Sequence, residues 1–121
     1  MVEIIVNADD FGISKGVNYA VFKGGMFGIL NSVGLMVNQK YTEDAIRISK
    51  AVPQLKIGLH LNFTNGYSTA SAEKVQLLTD GNGKFVNGFI TLLLLTLLHT
   101  RNMKYQIWWV VVSQLLAMQK I

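Results

Sequence analysis

No cysteine occurs anywhere in the 121 residues. That excludes a disulfide framework and any thiolate metal site, and it suits a cytoplasmic protein. Acidic residues are few and stop early. All 7 lie within residues 1–88, whereas residues 89–121 hold Arg101, Lys104 and Lys120 and no acid. Most of the formal charge of +4 therefore sits in the tail. No basic run interleaved with aromatics is present, which argues against a nucleic-acid partner. Nor does any apolar run reach the ~18–20 residues that a helix needs to cross a bilayer. The two longest, "FITLLLLTLL" (89–98) and "YQIWWVVVSQLLAM" (105–118), are divided by "HTRNMK". They are expected as two buried apolar helices rather than a membrane hairpin. Glu3, Asp9 and Asp10 break any leader-like apolar segment at the start. Without export, the glycosylation-type "NFT" at 62–64 carries no weight. Internal repeats and low-complexity linkers are also missing.

What remains is a chain that is 50% hydrophobic and 15% charged, enough to bury one core and of a length for one small domain. Residues 2–8 read as a buried β-branched strand containing Val2, Ile4, Ile5 and Val6. Ser14 is a fitting N-cap for a helix over about 15–25, with Val17, Ala20, Val21 and Gly24 on one face and "GGMFG" closing it. "SVGLMVN" (32–38) is a second strand. Thr42 is expected to cap a second helix, with Glu43 and Asp44 in its first turn. Ala45, Ile48 and Val52 share its inner face, and Pro53 stops it. "KIGLHLNF" (56–63) is a third strand. The alternation predicts an α/β fold of parallel strands with crossover helices. Residues 64–88 are rich in turn formers and read as a long connection before the two apolar helices.

In such folds the carboxyl ends of the strands gather at one rim, where sites form. Asp9 and Asp10 end the first strand, and His60 lies near the end of the third. Two adjacent carboxylates repel each other and need compensation. With an imidazole at the same rim they suggest part of a divalent metal site. Spacing alone leaves open which aspartate does what. A lone histidine in an apolar strand is also commonly a satisfied core residue. His99 reads as a helix-end residue. Asn7 and Asn38, each ending a strand, are either turn residues or rim hydrogen-bonders. Other motifs fail on context. "DFG" lacks the upstream parts of a kinase. A phospho-acceptor role for the aspartates would not need His60. "GGMFG" follows a helix and not a strand, so it is no dinucleotide fingerprint. "DGNG" (80–83) misses calcium-loop ligand positions and reads as a turn.

Three ordered segments, "IIVNADDFGISKGVNYAVF", "GILNSVGLMVN" and "AIRISKAVPQLKIGLHLNFTNG", resemble the opening of the YdjC family of carbohydrate deacetylases. The resemblance is strong over residues 2–66, and "LTDGNGKF" (78–85) extends it. Residues 89–121 form a divergent apolar tail. The resemblance implies the N-terminal part of a deformed (β/α) barrel that binds one divalent cation, Mg²⁺ or Zn²⁺, and removes acetyl groups from N-acetylated sugars of the chito-oligosaccharide type. By position it implies Asp10 and His60 as metal ligands and Asp9 as general base. The family's further histidine motif has no counterpart in this sequence, and barrels of this kind usually need ~250 residues. The expectation is therefore a single, truncated deacetylase-like domain over 1–121 with an incomplete site. The alternative is a non-catalytic remnant that forms homo-oligomers through its apolar helices.

Overall fold

The computed structural model describes residues 2, 4–86, 88 and 100–121, with only the backbone of 100–104. The run 89–98 and His99 lie outside the described residues. Two compact units make up the chain, Met1–His60 and Leu61–Ile121.

The first unit is strand, helix, strand, helix, strand, as the alternation predicts. Strands β1 (Asn7–Phe11), β2 (Ser32–Leu35) and β3 (Lys56–Leu59) form a parallel sheet in the order β1-β2-β3. Helix α1 (Lys15–Phe27) follows β1, and α2 (Thr42–Ala51) follows β2. One face of β2, Val33 and Leu35, is fully covered, and Phe11, Val21, Ala45, Val52 and Leu55 complete this core. The opposite face carries Ser32 and Gly34 on β2, level with Lys56 and Gly58 on β3. Successive strand residues point to opposite faces, so small and polar residues alternate with the core set.

Three local expectations change. The ladder starts at Asn7, not at Val2, and Ile4 and Ile5 are exposed. The cause is Asn31, whose side chain accepts from the Val6 amide at 2.9 Å and donates to the Ile4 carbonyl at 2.8 Å. A side chain thus takes the place of the next backbone rung. Ser14 caps α1 as expected, accepting from the Val17 amide at 3.1 Å. The inner face of α1, however, is Asn18, Val21 and Gly25, and Ala20 is exposed. Burying Asn18 is tolerable because all of its polar atoms find partners, described below. Finally, α2 is capped by Tyr41 without a side-chain bond, and Thr42 is its first helical residue. The Thr42 hydroxyl turns backward, donating to the Met36 carbonyl at 2.7 Å and accepting from the Gln39 amide at 3.1 Å, so its oxygen serves the preceding turn and not the α2 amides.

The second unit has its own small core of Val75, Leu78, Phe85 and Val110. The stretch read as a connection holds a 3₁₀ turn at Ala72–Lys74 and antiparallel bridges Tyr67↔Lys84 and Thr79↔Phe85. "DGNG" is a turn: Asp80 Oδ1 accepts from the Asn82 and Lys84 amides, both at 2.9 Å. Helix α3 (Thr100–Met118) supplies Val110 and Gln114 to the interior. The Gln114 amide pairs with the backbone of Asn62, accepting from its N–H at 3.0 Å and donating to its carbonyl. The Asn62 side chain is buried and spent on the Thr64, Asn65 turn. Tyr105, Trp108, Trp109, Leu115 and Leu116 of α3 are exposed, against the expectation of a buried helix. The Lys74 ammonium lies 3.7 Å from the Trp109 ring centroid. Among the described residues no helix is long and apolar enough to cross a membrane.

Candidate active site

The aspartate pair sits in an irregularity of β1. Ala8 pairs with Val33 and Phe11 pairs with Leu35, so two residues, Asp9 and Asp10, stand opposite the single residue Gly34. This is a β-bulge. Asp10 takes up the extra length with φ of 62°, a left-handed conformation that aspartate tolerates better than most residues. In a flat strand, neighbouring residues would point to opposite faces. The bulge instead re-aims Asp10, so both carboxylates approach the same imidazole.

The turn after the bulge is tightly held. The Ile13 amide donates to the Asp10 carbonyl at 3.1 Å, and Gly12 takes φ of 102°. The Gly12 amide donates to Asn18 Oδ1 at 2.8 Å. The Asn18 amide group in turn donates to the Tyr41 carbonyl at 3.0 Å and to Asp44 Oδ2 at 2.9 Å. One buried side chain therefore ties the aspartate turn to the start of α2. These bonds, the Asn18 amide first and the Arg47 guanidinium second, hold the Asp44 carboxyl below its usual value.

His60 directly follows β3 and extends the ladder, its amide donating to the Leu35 carbonyl at 2.9 Å. Its side chain is less than one-third exposed and reaches both aspartates. Nδ1 lies 3.7 Å from Asp9 Oδ1, and Nε2 lies 3.8 Å from Asp10 Oδ1. The Asp10 amide donates to Nδ1 at 3.3 Å, which assigns the proton of a neutral ring to Nε2. Asn7 joins the group, its side-chain amide donating to Asp9 Oδ1 at 3.1 Å. Asn38 lies in the turn between β2 and α2.

All three residues singled out in the sequence, Asp9, Asp10 and His60, are thus brought together, although 50 positions separate Asp10 from His60. A gap of 3.8 Å between Asp10 Oδ1 and His60 Nε2 can be spanned by one cation held ~2.0–2.2 Å from each. Among the described residues, no group of three or more His, Cys, Asp or Glu is arranged to hold a metal ion. The pair fits as two ligands of a larger set. Sequence reasoning missed two contributors. Asn18 interrupts the apolar face of its helix, and Gly34 interrupts an apolar strand, a pattern that signals close backbone approach.

The family model of YdjC-like proteins matches residues 3–116. The chain belongs to the YdjC-like family. A carbohydrate deacetylase of Thermoanaerobacter pseudethanolicus is 42% identical over 86 residues, 71% of this chain and 34% of that protein. A carbohydrate deacetylase of Vibrio cholerae serotype O1 is 41% identical over 83 residues, 69% of this chain and 32% of that protein. This YdjC-like chain spans about a third of the length of the curated relatives it matches. A solved structure from Enterococcus faecalis, described as a candidate cellobiose-phosphate cleavage protein, superposes with a TM-score of 0.73. It covers 96% of this chain and 43% of that one at 22% identity, a likeness of fold alone.

Proposed function

We propose that this chain contributes to the hydrolytic deacetylation of N-acetylated carbohydrates of the chito-oligosaccharide type, in a cytoplasmic setting. Asp10 and His60 are assigned as ligands of one divalent cation, Mg²⁺ or Zn²⁺, and Asp9 as the general base. The observation that carries the reading is the β1 bulge, which directs two successive carboxylates at one imidazole. Such a cation, when bound, acidifies water and polarises an acetyl carbonyl. The chain's own residues do the rest. Asp9 accepts the proton of the attacking water, and the Asn7 amide fixes the orientation of its carboxylate. His60 can offer Nε2 as a ligand once the ring proton has moved from Nε2 to Nδ1, which then gives up the Asp10 amide as its partner.

Calorimetric titration of Mg²⁺ and Zn²⁺ into this chain and its variants tests the assignment. Asp10→Asn is expected to weaken binding by more than the ~10–100-fold that follows loss of an outer-shell partner. Asp9→Asn is expected to keep most of the affinity. Equal loss in the two variants refutes the division of roles. Acetate release from N-acetylated chito-oligosaccharides is the companion measurement. A catalytic metal typically keeps three protein ligands and an open position, so this chain alone is expected to turn over far below enzyme-like rates. Metal-dependent turnover abolished by His60→Ala would overturn that expectation and direct the search for a third ligand to residues 67–121.

A further inference from the structure

Gly34 stands across from the bulge, on the open face of the sheet. A Cβ at this position would lie 3.2 Å from Asp9 Oδ1, 3.2 Å from His60 Cβ and 3.3 Å from His60 Nδ1. Each is tighter than an ordinary van der Waals contact. The carboxylate and the imidazole therefore rest over bare backbone. Gly58 is its register partner on the neighbouring strand and shares its face. There a Cβ would meet only the Val33 carbonyl, at 3.8 Å, an ordinary contact. The same residue type, on the same face, thus has crowded space at one position and room at the other.

We propose that Gly34 is a positioning residue whose missing side chain sets the approach of His60 to Asp9 and to the Asp10 amide. The His60 backbone is pinned by its bond to Leu35, so an added methyl at position 34 cannot be relieved by sliding the strand. The imidazole must give by a few tenths of an ångström, which weakens the already long 3.3 Å contact of Nδ1 with the Asp10 amide. For a strand glycine with no special role, replacement by alanine is neutral to stabilising, because the unfolded chain loses freedom. That is the expectation at Gly58. The proposal rests on the cation reading for only one of its three readouts.

The test compares Gly34→Ala and Gly58→Ala in the 121-residue chain. Without metal, hydrogen exchange of the Asp10 amide and the ¹⁵N shifts of the His60 ring are recorded by NMR. With Zn²⁺, affinity is measured by calorimetry. Gly34→Ala is expected to speed Asp10 amide exchange, to shift the Nδ1 resonance, and to lower Zn²⁺ affinity by about 10–100-fold, as for other second-layer partners. Gly58→Ala is expected to leave all three at their starting values. Equal behaviour of the two variants, or an unchanged Asp10 amide in Gly34→Ala, overturns the proposal. If the unaltered chain binds no Zn²⁺, the cation reading falls, while the amide and ring signals still decide the role of Gly34. Should Gly34→Ala fail to fold, it is combined with His60→Gly, which removes the crowding ring and Cβ. Recovery of folded protein to the level of Gly58→Ala upholds the proposal, and no recovery overturns it.

Discussion

Asp44 touches neither aspartate of the bulge, yet it supports them through one intermediary. Its carboxylate receives the Asn18 amide, and Asn18 holds the Gly12 amide that ends the aspartate turn. Arg47 adds a second bond at 3.0 Å from an exposed position, where an ion pair contributes little alone. Because the folded chain depresses the Asp44 pKa below 3.8, this group stabilises the fold above its unfolded value and loses that effect as the pH falls through the lower folded value. The expected outcome is acid weakening below about pH 4 that is smaller in Asp44→Asn than in the unaltered chain. Urea unfolding at several acidic pH values measures it, and identical pH dependence in the two proteins contradicts the assignment. Asn18 also shows where reading residues one at a time falls short. Its spacing within α1 is visible in the sequence, but its three partners lie 6, 23 and 26 positions away and exist only after packing.

At the scale of elements, the parallel order, the Ser14 cap, the first turn of α2 and the meeting of Asp9, Asp10 and His60 were legible. Each follows from local periodicity and from the rule that parallel strands share a rim. The start of β1 was not legible, because an asparagine side chain from a later segment replaces the first rung. Nor was the bulge, since pairing register is a property of two strands and not of one. Its effect can be tested by subtraction. Deleting either aspartate gives the same sequence and lets β1 and β2 pair one to one past Gly34. The left-handed residue is then no longer required, which removes a backbone cost of about 1 kcal/mol. The shortened chain is expected to melt no lower than the original and to lose the cation affinity of the Asp10–His60 pair. Retained affinity would show that the bulge is not what builds the site, and a lower melting temperature or loss of folding would contradict the expected relief of backbone cost.

For the molecule as a whole, the three site residues lie in Met1–His60, and α3 with its exposed apolar side chains lies in Leu61–Ile121. Trp108, Leu115 and Leu116 are exposed on α3, seven and eight positions apart and so near one face of the helix. Sedimentation velocity is therefore expected to show concentration-dependent self-association, reduced in a Trp108→Glu, Leu116→Glu variant. A single monomeric species at all concentrations would remove the case for association through α3. The compact cluster around Val75 and Phe85 was hidden in the sequence among turn formers, because its members are spread singly rather than periodically. Both tryptophans of the chain are on α3, and an ammonium group rests against one of them. Indole emission on heating thus follows the second unit only, whereas far-ultraviolet ellipticity sums over both. Coincident curves from the two optical signals mark concerted melting, and separated curves mark two halves that come apart independently.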